Sequence, residues 1–197
     1  MNHIERRAAT PASALLLALS AVGFLGWAGI SNAAAQASNE TVTGIVNYTP
    51  IDKNLTIGGA VTPDGIAEIK RRGFKTVINL RKSTEANANV EAEGEAVKAA
   101  GMKYINLPFS PGDPYEVASA QVEPFLKAVG DRSNWPVFVH SAQSHRPAGL
   151  LVIRRVLSGW TLEKAYASVD AQVLADGSAG AKGIKDFAEK YLKAHGK

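Results

Sequence analysis

One stretch of this sequence constrains its fold more than any other: an apolar run, a small polar loop and a proline, in that order, within residues 135–153. The apolar run Val137–Val139 is too short for a helix and is typical of a strand that is buried on both faces. Seven mostly polar residues follow it, and Pro147 then suits the first turn of a helix, where the N–H that proline lacks would have no partner within the helix. A strand, a tight loop and a helix N-terminus together present backbone N–H groups to an anion. The stretch therefore predicts a phosphate-binding loop.

Arg146 lies at the end of this loop. Its planar guanidinium can bind two phosphate oxygens at once, and hydroxyl groups of Ser141 and Ser144 could donate hydrogen bonds to the same anion. A solvated surface arginine is the alternative interpretation of Arg146. The predicted phosphate-binding residues are Ser141, Ala142, Gln143, Ser144, His145 and Arg146.

The pattern His140-Ser-x-x-x-x-Arg146 resembles the signature loop of cysteine-dependent tyrosine and dual-specificity phosphatases. It is most similar to a short-loop bacterial branch, the phosphatase-like domains related to β-lactamase-hydrolase-associated proteins, whose loop begins His-Cys and has four residues before the arginine. The resemblance covers roughly residues 50–170. Beyond the loop it rests on four segments in matching order: 58–63, 76–81, 104–108 and 159–165. It implies a tyrosine-phosphatase-like α/β domain that needs no cofactor.

One position departs from the family's pattern. The family's nucleophile is a cysteine, the matching residue here is Ser141, and the chain contains no cysteine. A cysteine thiol can attack phosphorus because a helix N-terminus and N–H donors lower its pKa enough to form the thiolate. A serine hydroxyl stays protonated near neutrality unless a base takes its proton. The resemblance, with this departure, implies a domain that binds phosphate or a phosphorylated group and does not hydrolyse it.

Asp113 lies in the loop where the family's general acid would be expected. Two interpretations remain open, because Asp113-Pro-Tyr-Glu116 also reads as a capping box with proline at the first helical position. Arg81, at the end of another strand, could line the same site or form a structural ion pair.

The two histidines of the loop region have different expected roles. His140 is next to Ser141 at the end of a strand, so their side chains point to opposite faces, and the resemblance makes His140 a structural residue beneath the loop. His145 lies within the loop, either as an exposed side chain at a variable position or as a base for Ser141. Neither histidine has an acidic or cysteine partner at the spacing of a metal motif, so no metal site is predicted.

Strand and helix patterns alternate along the rest of the chain, which predicts an α/β layered domain with a mostly parallel central sheet flanked by helices. Ligands bind beyond the carboxyl ends of the strands in such sheets, and the loop after His140 lies at that edge. The other strands are expected at 55–60, 76–81 and 103–108, with a short edge strand at 44–48. Helices are expected from Thr62 to Gly73, within 83–100, up to Gly130, at 147–157 and at 161–175.

The chain ends have their own predictions. Arg6 and Arg7 precede an uncharged apolar run at 12–30, and Ala35-Gln-Ala37 resembles a cleavage site, so residues 1–37 are predicted to be a signal peptide for periplasmic export or secretion. An N-terminal membrane anchor is the alternative, because the apolar run approaches spanning length. Residues 38–175 would form the phosphatase-like domain. Residues 176–197 would add a flexible linker, ending near Gly183, and an amphipathic helix that packs on its own domain or binds a partner.

Charge and cysteine content limit the functions that are compatible with the sequence. Removal of residues 1–37 takes Lys+Arg from 22 to 20 and Asp+Glu from 18 to 17, a net charge of +3 without long runs of one sign, which does not imply nucleic-acid binding. An exported chain without cysteine has no disulfides. Besides the inactive phosphatase-like protein, two hypotheses remain: a hydrolase that uses Ser141 or a bound metal, and a non-catalytic protein-interaction module. No Gly-x-Ser-x-Gly or His-Glu-x-x-His motif supports the hydrolase.

Overall fold

Five short strands form one sheet in the computed structural model, which describes residues 40–169 and 171–197. Their order across the sheet is β1-β2-β5-β3-β4. The last four strands in this order are parallel to their neighbours, and β1 is antiparallel to β2, which confirms the predicted mostly parallel sheet. The strands are β1 Thr49–Asp52, β2 Leu55–Gly58, β3 Thr76–Asn79, β4 Lys103–Asn106 and β5 Val137–His140.

Helices connect the strands and cover both faces of the sheet. Several begin or end where the sequence predicts. The Thr62 side chain, for example, accepts a hydrogen bond from the N–H of Gly65 at 3.3 Å and starts the first helix, with Pro63 in its first turn. The helices are α1 Pro63–Arg71, α2 Val90–Ala99, α3 Tyr115–Ser119, α4 Val122–Gly130, α5 His145–Leu157, α6 Leu162–Ala167, α7 Ala171–Ala175 and α8 Ala179–Ala194, with a 3-10 turn at Arg132–Asn134.

The central strand β5 supplies side chains to a core on each face of the sheet. Val137 and Val139 pack into the larger core, which contains residues of α4, α5 and α8, whereas Phe138 packs into the smaller core with residues of α1 and α2. All three side chains are fully buried. The alternation of side chains along a strand explains this division. The apolar run that the sequence analysis placed on a doubly buried strand is therefore the middle of a layered α/β domain.

The segment before the sheet differs from the prediction. The edge strand is Thr49–Asp52 and not 44–48, and the preceding residues are held against the turn after β2. The N–H of Val46 donates to the carbonyl of Ala60 at 3.0 Å, and the N–H of Gly59 donates to the carbonyl of Val46 at 2.6 Å. Long-range backbone hydrogen bonds thus hold this segment in place, although its sequence is mostly polar.

The C-terminal region also differs. The helix predicted at 161–175 is two helices, α6 and α7, and the linker predicted up to Gly183 is shorter, because α8 already begins at Ala179. The Ser178 side chain caps α8 by accepting a hydrogen bond from the N–H of Ala181 at 3.1 Å. This cap and the packing of Ile184 against α5 outweigh the low helix propensity of the glycines. Because α8 contributes fully buried residues to the larger core, the expectation that it packs on its own domain is confirmed.

Among the described residues, no helix has both the length and the apolar character needed to cross a membrane. The predicted signal peptide at 1–37, including its Ala35-Gln-Ala37 site, and the alternative membrane anchor lie outside the described residues. Both remain predictions.

Candidate functional site

The loop between β5 and α5 is held by the strands on either side of β5. The N–H of Ser141 donates to the carbonyl of Gly58 at 3.2 Å, and the N–H of Ala60 donates to the carbonyl of Ala142 at 3.0 Å. On the other side, the N–H of Leu80 donates to the carbonyl of His140 at 2.9 Å. The loop therefore lies at the carboxyl edge of the sheet, as predicted, and leads into the N-terminus of α5.

A cavity of about 360 Å³ lies against this loop. Its volume falls within the range of small-molecule pockets. The lining includes most of the predicted phosphate-binding residues together with groups from three other segments: Lys82, Glu85, Ser110, Pro111, Ser141, Ala142, Gln143, His145, Arg146 and Gly180.

Ser141, which the resemblance predicts at the nucleophile position, lines the cavity and is only 1% exposed. Within the described part of the chain, its hydroxyl donates to no acceptor, so no base is in contact with it. This geometry leaves the hydroxyl available as a hydrogen-bond donor to a ligand. It does not provide an activated nucleophile.

Ser144 does not line the cavity. Its backbone is left-handed, with φ at 70°, and its fully buried hydroxyl donates to the carbonyl of Asn47 at 3.5 Å. The expectation that this hydroxyl would bind the anion is therefore not met, because the hydroxyl donates instead to a carbonyl of the segment before the sheet.

Arg146 is anchored by groups that the sequence analysis did not connect with it. Its Nη1 donates to the carbonyls of Leu80 at 2.9 Å and of Phe109 at 2.8 Å. Its two terminal nitrogens also form a bidentate ion pair with Glu85, at 2.6 Å from Nη1 and 2.7 Å from Nη2. Arg146 is thus a fixed side chain of the cavity wall and not a solvated surface arginine.

The five N–H donors of Arg146 are not all used by these contacts. Glu85 and the two carbonyls account for Nη1 and for one N–H of Nη2. No acceptor among the described residues accepts a hydrogen bond from Nε–H or from the second N–H of Nη2. These two donors lie on one edge of the guanidinium and match two oxygens of a phosphate.

Glu85 was missed by the sequence analysis, and no local motif marks it. Its carboxylate also accepts hydrogen bonds from the N–H of Lys82 at 2.9 Å and from Nε of Arg81 at 3.4 Å. Burial would raise the pKa of Glu85, but the hydrogen bonds from Arg146 and from the Lys82 backbone outweigh it and lower the pKa. Glu85 is therefore a fixed anion that holds one edge of the arginine.

Arg81 has a structural role in this arrangement. It is 7% exposed and does not line the cavity. Besides Glu85, it donates to the carbonyls of Ala86 at 2.6 Å and of Asn87 at 3.1 Å. Arg81 was predicted either to line the site or to form a structural ion pair, and the structure shows the ion pair, with Glu85.

Asp113 is neither a helix cap nor a free acid. The helix that follows begins at Tyr115 with Pro114 as its N-cap, and no side chain caps it, so the capping-box interpretation is wrong. The Asp113 carboxylate instead pairs with Nζ of Lys82 at 2.5 Å and lines a neighbouring cavity, not the one that contains Ser141. An ion-paired carboxylate outside the cavity is poorly placed to protonate a leaving group.

His145 lines the cavity and pairs with a residue of the segment before α8. Its Nε2 lies 2.7 Å from Oδ2 of Asp176, and its side chain is only 12% exposed, so the expectation of an exposed position is wrong. Asp176 also accepts a hydrogen bond from the N–H of Ser178 at 2.9 Å. The hydrogen bonds from Ser178 and from His145 lower the pKa of Asp176 to about 2.

His140 is fully buried, as expected for a residue beneath the loop. Its Nε2 lies 2.8 Å from Oε1 of Glu93, and the same oxygen accepts a hydrogen bond from Nδ2 of Asn79 at 3.2 Å. In the described ranges, no group of three or more histidine, cysteine or acidic side chains is arranged to hold a metal ion.

Comparison with known proteins gives a consistent picture. The family described as "PTP-NADK: DSP-PTPase phosphatase fused to NAD+ Kinase" matches residues 28–182 of this chain. A β-lactamase hydrolase-like protein of Xylella fastidiosa is 28% identical over 111 residues, which are 55% of this chain and 25% of that protein. The alignments cover a quarter or less of the length of the curated relatives that the chain matches.

Solved structures with the same fold include two phosphatases. The core catalytic domain of the PP-IP phosphatase SIW14 from S. cerevisiae, in complex with citrate, has a TM-score of 0.60 and 17% identity, over 77% of this chain and 88% of that one. A cysteine-to-serine variant of TpbA from P. aeruginosa, in complex with pTyr, has a TM-score of 0.54 and 18% identity, over 80% of this chain and 98% of that one. At these identities the likeness concerns the fold, which is that of the tyrosine-phosphatase-like domains.

Proposed function

Because this chain belongs to the family of DSP-PTPase phosphatase domains described as fused to NAD+ kinase, we propose that its loop 140–146 binds a phosphate or phosphorylated group without hydrolysing it. The observation that carries the proposal is Ser141: it lies where the family has its nucleophile, and it faces an intact cavity with a fixed arginine. The ligand would accept hydrogen bonds from backbone N–H groups at the start of α5, from the Ser141 hydroxyl and from the free edge of Arg146.

Three features support the absence of hydrolysis. No thiolate can form, since the chain has no cysteine. The Ser141 hydroxyl contacts no base among the described residues, and Asp113 is ion-paired outside the cavity. The complex of the TpbA cysteine-to-serine variant with pTyr supports the idea that a protein of this fold in which serine replaces a cysteine can bind a phosphorylated group.

Binding is tested by titrating the purified protein with orthophosphate and phosphotyrosine in a calorimeter. We expect heat of binding in the wild type and its loss in Arg146→Ala. Arg132→Ala, which removes an exposed arginine of the 3-10 turn before β5 that does not line the cavity, is the matched control and should bind as the wild type does. An absence of binding in the wild type would favour the protein-interaction module instead.

The absence of hydrolysis is tested with an aryl phosphate. The wild type should release no phosphate above the buffer blank, and Ser141→Cys should release it if the remaining site is competent. Turnover by the wild type in proportion to its concentration would contradict the proposal.

The second candidate is a hydrolase in which His145 assists Ser141. The His145–Asp176 pair favours it, because a base in a catalytic triad is oriented by a third group. Against it, Nε2 of His145 is used by Asp176, and its Nδ1 lies beside Gly180, where an added Cβ would come within 2.9 Å. Wild-type turnover that is abolished by both Ser141→Ala and His145→Gln would establish this candidate.

We further propose that residues 1–37 direct export to the periplasm or the medium. The basic start, the apolar run and the Ala35-Gln-Ala37 site support this. Cell fractionation should recover a protein shortened by residues 1–37. Recovery of the uncut chain in the membrane fraction would favour the anchor.

A further inference from the structure

The cavity is larger than a single phosphate group requires, and one of its walls comes from α8. Its volume of about 360 Å³ lies within the range of pockets for small organic ligands. Gly180, in the first turn of α8, is part of the lining. The ligand's remaining part must therefore face groups outside the loop 140–146.

The first turn of α8 has two backbone donors without partners. The N–H of Ala181 donates to the side chain of Ser178, and the N–H of Lys182 donates to the carbonyl of Ser178. Among the described residues, no acceptor receives the N–H groups of Ala179 and Gly180. Free amides and the positive end of a 16-residue helix favour an anionic group at this wall.

Lys82 is the second positive group on the cavity wall. Its ammonium pairs with Asp113 at 2.5 Å, and its side chain is 38% exposed. An ammonium has three N–H donors, so the pair with Asp113 leaves two of them for a ligand.

The two cations of the wall keep donors for an anion although each has an acidic partner. Lys82 pairs with Asp113, and Arg146 pairs with Glu85, which is the one acid of the lining among the described residues. Asp176 lies near the start of α8 but does not line the cavity, and its oxygens are taken by Ser178 and His145. Ser141 is 1% exposed, and its hydroxyl donates to no acceptor among the described residues, so the same cavity contains an unpartnered buried donor.

We propose that the ligand carries a second oxyanion group, which Lys82 and the N-terminus of α8 bind while its phosphate lies on the loop 140–146. This inference rests on the proposed function and deepens it. The ligand class is a compound with two closely spaced oxyanion groups, such as a bisphosphate or a phosphorylated carboxylate, and not a phosphate ester with an uncharged body.

The test compares two probes by calorimetry with the purified protein: orthophosphate and methylenebisphosphonate, which has two phosphonate groups and cannot be hydrolysed. We expect the bisphosphonate to bind on the order of tenfold more tightly, the effect of one hydrogen bond to a charged group. Lys82→Met should reduce this ratio of affinities to about threefold or less, since one of the two positive groups is lost. Lys98→Met removes an exposed lysine of α2 and should keep the wild-type ratio.

The contribution of α8 is tested by removing a backbone donor without disturbing the helix. Ala179→Pro removes one free N–H at the first helical position, where proline is favoured, and Ser178 already has the extended backbone, φ −69° and ψ 155°, that a following proline requires. This variant should also lower the affinity ratio. Ala179→Ser keeps the N–H and should retain the wild-type affinity ratio.

The outcomes separate the two proposals. If orthophosphate binds but the bisphosphonate binds no more tightly, or if Lys82→Met and Ala179→Pro both keep the wild-type ratio, a second oxyanion site at Lys82 and α8 is excluded and the proposed function stands. If the wild type binds neither probe, the proposed function fails, and this inference fails with it.

Discussion

Ser144 has a left-handed backbone in the middle of the loop, with φ at 70°. This conformation costs a non-glycine residue on the order of 1 kcal/mol, and glycine adopts it without that cost. The contact that serine gains in return, 3.5 Å to the Asn47 carbonyl, is at the limit of hydrogen bonding. We therefore expect Ser144→Gly to raise the free energy of unfolding by about 0.5 kcal/mol, measured by urea denaturation.

The control for this substitution is Ser158→Gly at the end of α5. Ser158 has an ordinary negative φ of −85°, so glycine gains nothing there and should lower stability slightly. Equal effects of the two substitutions would show that the conformation of Ser144 is not strained.

Glu85 is the residue on which the position of Arg146 depends. Glu85→Gln keeps the size of the side chain but removes the charge that receives two guanidinium N–H groups, so we expect a loss of about 2 kcal/mol of stability at pH 7. The pKa of Glu85 is lowered in the folded protein, so its stabilising effect is present above the ordinary value of 4.5 and is lost as the pH falls through the folded value.

Denaturation curves of the two proteins between pH 7 and pH 2 check this expectation. The stabilities of wild type and Glu85→Gln should converge below pH 4.5 as the Glu85 carboxylate is protonated. Glu95→Gln, which changes an exposed acid of α2, should follow the wild type at every pH. A constant difference down to pH 2 would mean that the charge of Glu85 contributes nothing.

The contact between α5 and α8 depends on one glycine. A Cβ added at Gly149 would come within 2.1 Å of Cγ1 of Ile184, a fully buried residue of α8. Gly149→Ala should therefore lower the free energy of unfolding by about 2 kcal/mol, although alanine is the better helix former. Gly130→Ala at the end of α4, where no atom lies within 4 Å of the added group, is the control and should cost far less.

A second substitution tests whether a steric clash causes the loss of stability in Gly149→Ala. Ile184→Ala removes Cγ1 and Cδ1, which an added Cβ at position 149 would meet at 2.1 and 3.0 Å, so the double variant should lose less stability than the sum of the two single variants. Additive losses would place the cause elsewhere.

At the scale of the elements, the sequence was informative where local patterns decide the structure. The run Val137–Val139 and Pro147 correctly predicted a buried strand followed by a helix. Prediction failed where distant contacts decide. The order of the segment before β1 comes from hydrogen bonds to Gly59 and Ala60, and the start of α8 depends on its packing against α5.

The same reason explains which parts of the site were predictable. The loop residues are contiguous in the sequence, so their spacing signals an anion site. Glu85 lies 61 positions from Arg146, and Asp113 and Asp176 each lie 31 positions from their partners, Lys82 and His145. No periodicity or motif joins residues so far apart, and only the fold shows that these charges meet.

Removal of α8 should unfold the whole molecule. The helix contributes four large buried side chains to the main core, Ile184, Phe187, Tyr191 and Leu192. Their burial is worth roughly 6–12 kcal/mol, which is comparable to the total stability of a domain. A chain that ends at Asp176 should show no cooperative thermal transition by circular dichroism, whereas removal of Gly196 and Lys197 alone should leave the transition in place. A cooperative transition in the shorter chain would show that α8 is an accessory element.

Because α8 belongs both to the main core and to the cavity wall, its detachment would release any ligand that it contacts. Transient opening of this helix and ligand dissociation are then one linked equilibrium, and a ligand that binds only the closed form shifts it. Amide hydrogens of α8 should consequently exchange with deuterium more slowly in the presence of ligand, even at positions such as Leu192 that lie about three turns of helix beyond the cavity wall at the start of α8.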